Sequence, residues 1–132
     1  MIRIIVPHLF FTIFLFTFFN TYSAQADWKQ AKEGGKIILI RHSIAPGFGD
    51  PPEFKINDCS TQRNLSKEGI DQSKKIGKLF KINKIKIDQV LSSQWCRCKD
   101  TAKYAFNNYK EFSALNSTFQ PPHDKNAKKQ IK

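Results

Sequence analysis

The sequence predicts an α/β domain built on a parallel sheet, because strand-like and helix-like segments alternate along the chain. Between residues 36 and 115 the expected order is strand, helix, strand, helix, strand. Apolar residues make up 40% of the 132 residues, which is enough for a core in a chain that holds one domain at most.

The N-terminus has the features of a secretory signal peptide. Arg3 precedes a nearly continuous apolar stretch, 4–19, and Ala24-Gln25-Ala26 fits a signal-peptidase site. The alternative is an uncleaved anchor, but this stretch is shorter than a membrane-spanning helix requires. We therefore expect a signal peptide over 1–26 and a periplasmic or secreted protein with no stable membrane anchor after cleavage.

The first expected strand is the β-branched run Lys36–Ile40, which has the pattern of a strand buried on both faces. It ends at Arg41 and His42. The segment 43–64 that follows is rich in Gly and Pro at its start and shows no regular periodicity. An irregular segment of this length in a small domain is typical of a functional loop or a lid.

Two amphipathic helices and two further strands complete the domain. The first helix is expected to begin at the N-cap Ser66 and to end near Asn83. The second covers about 95–109, and strands are expected at 85–91 and 112–115. The residues expected to be buried on the helices are Ile70, Ile76, Leu79 and Phe80 on the first and Thr101, Ala102, Ala105 and Phe106 on the second.

The chain is strongly basic, with 22 Lys and Arg against 11 Asp and Glu and a formal net charge of +11. Such a charge could serve binding to nucleic acid or to an anionic envelope surface. The lysines are spread, however, and those of the first helix largely face away from its apolar side. Since no nucleic-acid motif accompanies them, we expect no nucleic-acid partner. The basic, polar tail 120–132 is predicted to be solvated.

Three cysteines, Cys59, Cys96 and Cys98, remain after removal of the signal peptide. Export permits a disulfide, and the odd number leaves one thiol over. Cys96 and Cys98 are separated by a single residue, which does not suit a zinc site, so no metal is expected. The expected bridge joins Cys59 to one of the other two, with Cys59–Cys98 as the working assignment; three partly buried thiols are the alternative.

Polar residues follow the first two expected strands at their carboxyl ends, where ligands bind in open α/β sheets. Arg41 and His42 follow the first strand, and Ser92, Ser93 and Arg97 follow the second. Arginine suits bidentate recognition of phosphate or carboxylate, and a histidine beside it is a candidate nucleophile or general base. These residues predict an anion site, unless the arginines are surface charges and the histidine merely ends a strand.

Three segments carry recognisable motifs. LIRHSIAPG holds an Arg-His pair after a strand, RNLSKEGIDQSKKIG holds Leu65, Ser66, Gly69 and Gln72, and VLSSQWCRCKDTA holds Ser92, Ser93, Arg97, Thr101 and Ala102. In this order, over residues 36–106, they resemble the histidine phosphatase superfamily, the phosphoglycerate-mutase-like group. Together with the signal peptide and the wording DCSTQRNLS, they are most similar to the exported bacterial branch of that family.

The resemblance implies a three-layer parallel-sheet fold, of which residues 27–119 would form the N-terminal part. It implies hydrolysis of phosphomonoesters in two steps, with His42 as the nucleophile that becomes a phosphohistidine. Arg41 and Arg97 match the family's phosphate-binding arginines. The chemistry requires no metal and no organic cofactor, and the expected partner is a phosphorylated small molecule or an envelope phosphate.

The chain departs from the family's pattern at three places. Ser43 stands where the family most often has Gly, and the family's Glu proton donor is unmatched by Leu115-Asn116-Ser117. The second phosphate-binding His is unmatched too, because His123 lies in a proline-flanked polar setting. We therefore expect a chain truncated at its C-terminus relative to the family, with weak or absent activity. A catalytically inactive phosphate-binding protein is the alternative, followed by a basic envelope-binding protein.

Overall fold

The structure, a computed structural model, describes residues 28–119 and 123–127. The predicted signal peptide, 1–26, lies outside the described residues, as does most of the predicted tail. The regular elements are the helices α1 (Trp28–Lys32), α2 (Lys67–Ile82) and α3 (Cys96–Phe106) and the strands β1 (Leu91–Ser92) and β2 (Lys110–Glu111). Short 3-10 turns cover Cys59–Thr61, Ser113–Leu115 and His123–Asn126.

The two strands form a parallel sheet, in which Leu91 pairs with Lys110 and Ser92 pairs with Glu111. Parallel strands need a crossover connection, and α3 provides it. The N–H of Phe112 donates to the carbonyl of Ser92 at 2.8 Å and extends the pairing by one residue. The described chain is therefore a mixed α/β protein, as the sequence predicts.

The predicted first strand, Lys36–Ile40, is absent from the described structure. This segment has no regular secondary structure, and Ile37 and Leu39 are 91% and 85% exposed. A strand is stabilised by side chains packed against a neighbouring strand, and the described sheet consists of β1 and β2 alone. The prediction that this run is buried on both faces is thus wrong.

The other two predicted strands lie close to the observed ones but have different limits. The expected strand 85–91 is reduced to Leu91–Ser92, and Ser113–Leu115 is a 3-10 turn rather than part of a strand at 112–115. The observed second strand is Lys110–Glu111. Strand limits depend on where pairing partners lie, which a local sequence pattern does not contain.

Helix α2 begins and ends where the sequence predicts. The hydroxyl of Ser66 accepts the N–H of Gly69 at 3.1 Å, as expected of an N-cap. At the other end, both the backbone N–H and the side-chain amide of Asn83 donate to the carbonyl of Leu79. Phe80 is buried, but Leu79, which was expected to be buried, is 47% exposed.

Helices α2 and α3 pack closely at Gly77. A Cβ atom at this position would overlap the carbonyl oxygen of Ala105 in α3. Phe80 of α2 meets Phe106 of α3 edge to face at a centroid distance of 5.2 Å, and Trp28 of α1 packs on Phe80 in the same way at 5.6 Å. This contact holds the two helices in a fixed relative position.

Polar side chains are prominent among the buried residues. The buried apolar side chains are Phe80, Trp95, Cys96 and Ala102, whereas the buried polar ones are Ser43, Gln62, Ser73, Ser92, Ser93, Arg97 and Thr101. The lysines of α2 are exposed, in agreement with a solvated face. Within the described chain, no helix combines the length and the apolar character needed to cross a bilayer. Three of the buried polar residues, Ser43, Ser73 and Thr101, are joined by hydrogen bonds directly beside His42.

Candidate functional site

The site is centred on His42, which is half-buried. Its Nδ1 atom lies 2.8 Å from the carbonyl oxygen of Ser43. Because a carbonyl oxygen only accepts hydrogen bonds, Nδ1 must carry the proton, and in the neutral ring Nε2 then carries the lone pair. His42 is therefore held in the tautomer in which Nε2 is the nucleophilic atom.

The surroundings of His42 favour the neutral ring. Burial lowers the pKa of His42 below its ordinary value, and the hydrogen bond to Ser43 opposes that effect. Positive charge lowers the pKa further, and it comes from three arginines, Arg97, Arg63 and Arg41. A histidine among cationic groups keeps its lone pair at neutral pH and meets anions there.

Helix α2 positions the backbone beyond His42 through the residues of the Leu-Ser-x-x-Gly-x-x-Gln motif. Gln72 accepts the N–H of Ile44 at 2.9 Å, and the N–H of Ser66 donates to the carbonyl of Ile44 at 3.0 Å. A Cβ atom at Gly69 would overlap that same carbonyl oxygen, so only glycine permits the approach. These residues therefore have a positioning role.

Helix α3 is joined to the same segment through Thr101. The N–H of Ser43 donates to Oγ1 of Thr101 at 2.9 Å, and this hydroxyl donates to the carbonyl of Arg97 at 2.7 Å. The side chain of Ser43 is buried and accepts the hydroxyl of Ser73 at 2.7 Å. Ser43 thus has a side-chain hydrogen-bond partner in α2.

Arg97 forms a buried ion pair with Asp50. The Nη1 atom of Arg97 lies 2.7 Å from Oδ1 of Asp50, and their side chains are 9% and 6% exposed. The indole N–H of Trp95 donates to Oδ2 at 2.9 Å, and the backbone N–H of Arg63 donates to Oδ1 at 3.1 Å. Burial alone would raise the pKa of Asp50, but these hydrogen bonds and the charge of Arg97 outweigh it and lower the pKa. The carboxylate is therefore ionised.

Arg97 keeps an unsatisfied buried donor in this arrangement. Its Nε atom is buried and has no hydrogen-bond partner in the described structure. Buried polar groups are nearly always paired, so this unpaired guanidinium N–H is a candidate donor for a bound anion.

The side chain of Arg63 is hydrogen-bonded to the backbone of its own loop, which connects His42 to α2. Its Nε donates to the carbonyl of Gly49 at 2.7 Å, and its Nη1 donates to the carbonyl of Ala45. Sequence reasoning assigned no role to Arg63 or to Asp50. The signal for Arg63 was its place two residues ahead of Leu65 in the Leu-Ser motif, whereas nothing local marked Asp50.

The disulfide joins Cys59 to Cys96, with a Cα–Cα distance of 5.7 Å, and Cys98 is a free, half-buried thiol. The working assignment Cys59–Cys98 is therefore wrong, whereas a bridge from Cys59 to one of the other two cysteines is confirmed. Two positions along a helix turn the side chain by about 200°, so Cys98 and Cys96 face different directions. The carboxamide of Gln62 accepts the N–H of Cys96 at 3.0 Å beside the bridge.

The structure brings together some of the predicted site residues and separates others. His42 and Arg97 lie in one site, while Arg41 is exposed and acts on His42 through its charge. Ser92, the last residue of β1, and Ser93, which follows the strand, are both buried. Asn116, in the stretch Leu115-Asn116-Ser117, donates its side-chain amide to the carboxamide oxygen of Gln94 at 2.7 Å.

Among the described residues, no group of three or more His, Cys, Asp and Glu side chains is placed to hold a metal ion. Comparison of the chain with protein-family models, with curated proteins and with solved structures found no match.

Proposed function

We propose that this protein is an exported phosphatase that hydrolyses phosphomonoesters through a phosphohistidine on His42. The observation that carries the proposal is a neutral histidine, with Nε2 free to attack, beside a buried arginine with an unpaired Nε donor. This pairing combines a nucleophile with a group that stabilises negative charge on phosphoryl oxygens.

The reaction proceeds in two displacements at phosphorus. The lone pair on Nε2 of His42 forms a P–N bond while the ester P–O bond breaks, and the leaving oxygen takes a proton. Water then attacks the phosphohistidine, which releases orthophosphate and restores the neutral ring. Arg97, Arg63 and Arg41 supply the positive charge that the phosphoryl oxygens need in both transition states.

Asp50 does not supply the proton to the leaving group. Its pKa is lowered, and its carboxylate already accepts hydrogen bonds from Arg97, Trp95 and Arg63. His42 is half-exposed, so solvent can reach the reacting group. We expect a solvent molecule to protonate the leaving oxygen. The rate should then depend strongly on how stable the leaving anion is.

We further propose that the chain has the three-layer histidine phosphatase fold, with residues 27–119 as its N-terminal part. The β1–α3–β2 unit is parallel, as such a fold requires. The motif residues Ser66, Gly69, Gln72 and Thr101 all support the backbone that carries His42. Residues of separate motifs thus contact the same short stretch of backbone, as expected if the motifs together build one phosphate site.

Export through a cleaved signal peptide over 1–26 is part of the same proposal. The Cys59–Cys96 bridge supports it, because disulfides persist in oxidising compartments such as the periplasm. The N-terminal sequence of the protein recovered from the cell envelope should begin at Asp27. A protein that retains residues 1–26 would contradict cleavage.

Hydrolysis of a graded series of phosphomonoesters tests the activity. Aryl phosphates should be hydrolysed faster than alkyl phosphates, and the His42→Asn variant should hydrolyse neither. Asparagine is the matched replacement, because its amide N–H can still donate to the carbonyl of Ser43. Orthophosphate binding without turnover in the wild-type protein would point instead to a phosphate-binding protein.

A further inference from the structure

We propose that Asp50 is a positioning residue that holds Arg97 in the orientation required to bind the phosphoryl group. This inference rests on the proposed function and assigns a role to a residue in the loop after His42. It starts from an asymmetry in the ion pair: the carboxylate engages Nη1 of Arg97, while Nε is left without a partner.

This asymmetry indicates that Asp50 orients Arg97 rather than competing with phosphate for its guanidinium group. A carboxylate that competed with phosphate would occupy the fork of the guanidinium with two parallel hydrogen bonds. Asp50 instead contributes Oδ1 to Nη1 of Arg97 and directs Oδ2 to the indole of Trp95. The Nε donor of Arg97 is therefore not occupied by Asp50 while the ion pair is intact.

Asp50 is itself fixed from three sides. It accepts hydrogen bonds from Arg97 and Trp95 at α3 and from the backbone of Arg63 in the loop. The carbonyl of Arg63 lies 3.4 Å from the same Nη1 of Arg97. With its side chain 6% exposed, Asp50 has no space to turn away, so it can set the direction of the guanidinium.

Asp50 also stabilises the charge of Arg97 in its buried position. A guanidinium that is 9% exposed needs a counter-charge, and Asp50 provides it at 2.7 Å. The charged side chain that donates to Asp50 is Arg97, whereas Trp95 donates through its neutral indole and Arg63 through its backbone. We therefore expect the effect of Asp50 on the site to pass through Arg97.

The test is orthophosphate affinity measured by calorimetry, together with the NMR signal of the Arg97 Nε–H group. Asp50→Asn should weaken orthophosphate binding about tenfold or more, because a misdirected Arg97 loses a charge-assisted hydrogen bond to the anion. Its Nε–H signal should move even without phosphate. The matched control is Asp58→Asn in the same loop, since Asp58 is exposed and contacts Ser60 rather than an arginine.

The Asp58→Asn control distinguishes a change in the orientation of Arg97 from the loss of a negative charge alone. Both variants remove one negative charge, so a purely electrostatic effect would strengthen phosphate binding in both. Should Asp50→Asn fail to fold, Trp95→Phe keeps the ring stacked on Phe54 but removes the donor to Oδ2, and it should weaken binding by a smaller factor.

Two results would overturn the inference. Unchanged or tighter orthophosphate binding in Asp50→Asn, with an unmoved Arg97 Nε–H signal, would show that Asp50 does not orient Arg97. Failure of the wild-type protein to bind orthophosphate would overturn the proposed function along with it, so the two failures are distinguishable.

Discussion

The backbone N–H of Ser43 donates to the hydroxyl of Thr101 at 2.9 Å, and this hydrogen bond ties the residue after His42 to the helix that carries Arg97. The two residues are 58 positions apart in the chain. The backbone next to His42 and the backbone of Arg97 are therefore held in register by one buried hydroxyl.

Replacing Thr101 with Val should destabilise the protein. Valine has nearly the same shape but leaves the buried N–H of Ser43 without an acceptor, which costs about 1–3 kcal/mol. Urea unfolding measures the difference. Thr101→Ser keeps the hydroxyl and should retain most of the stability, and a loss in Thr101→Ser as large as that in Thr101→Val would contradict a dominant role of the hydrogen bond.

The close packing of α2 against α3 predicts that a side chain at position 77 will lower the stability of the protein. A methyl group at this position overlaps the carbonyl oxygen of Ala105, so Gly77→Ala should destabilise the protein by about 1–3 kcal/mol despite the better helix propensity of alanine. The neighbouring Lys78→Ala is the control, because Lys78 is exposed on α2 and its loss should change the unfolding free energy little. A stabilised Gly77→Ala protein would contradict the close helix contact.

The disulfide should contribute substantially to stability. It joins residues 37 positions apart, so its reduction should lower the unfolding free energy by about 4 kcal/mol through the greater entropy of the unfolded chain. Chemical denaturation with and without a reductant measures this. Cys98→Ser should leave the effect unchanged, and a Cys59–Cys98 peptide in a non-reducing digest would contradict the observed pairing.

The pH dependence of His42 follows from the direction of its pKa. The pKa of His42 lies below its ordinary value of about 6.5, so the ring is neutral at pH 7. Phosphoryl transfer should therefore slow only when the pH falls far enough below 6.5 to protonate the ring. Removing the charge of Arg41 by Arg41→Gln should raise the pKa, since a nearby positive charge disfavours the imidazolium. The decline should then begin at a higher pH.

An NMR titration of the His42 ring checks that prediction directly. Lys81→Gln removes the same charge from the last turn of α2, far along that helix from Ser66, and should leave the titration of His42 unchanged. Equal shifts in both variants would indicate a general effect of net charge rather than the local field of Arg41.

The parts of the fold that the sequence predicts are those set by neighbours in the chain. Helix α2 is found where the cap at Ser66 and its apolar face place it, because caps and helical periodicity act over a few residues. The strand expected at Lys36–Ile40 fails for the opposite reason. Its β-branched residues favour a strand only where another strand pairs with them, and the described sheet does not extend to them.

The same distinction applies to the site. His42 and Arg97 could be named from motifs, and the structure places them in one site. Asp50 could not, because its role depends on a contact with Arg97, 47 positions away, that the path of an irregular loop creates. The choice between Cys96 and Cys98 also depended on where that loop meets α3.

The most direct test of the central claim is to trap the phosphorylated enzyme. The wild-type protein is mixed with a ³²P-labelled aryl phosphate, quenched in alkali and digested, since phosphohistidine survives alkali and is lost in acid. The account predicts label on the peptide that contains His42 and none in the His42→Asn variant. Hydrolysis that proceeds equally in both proteins, or label on another residue, would contradict it.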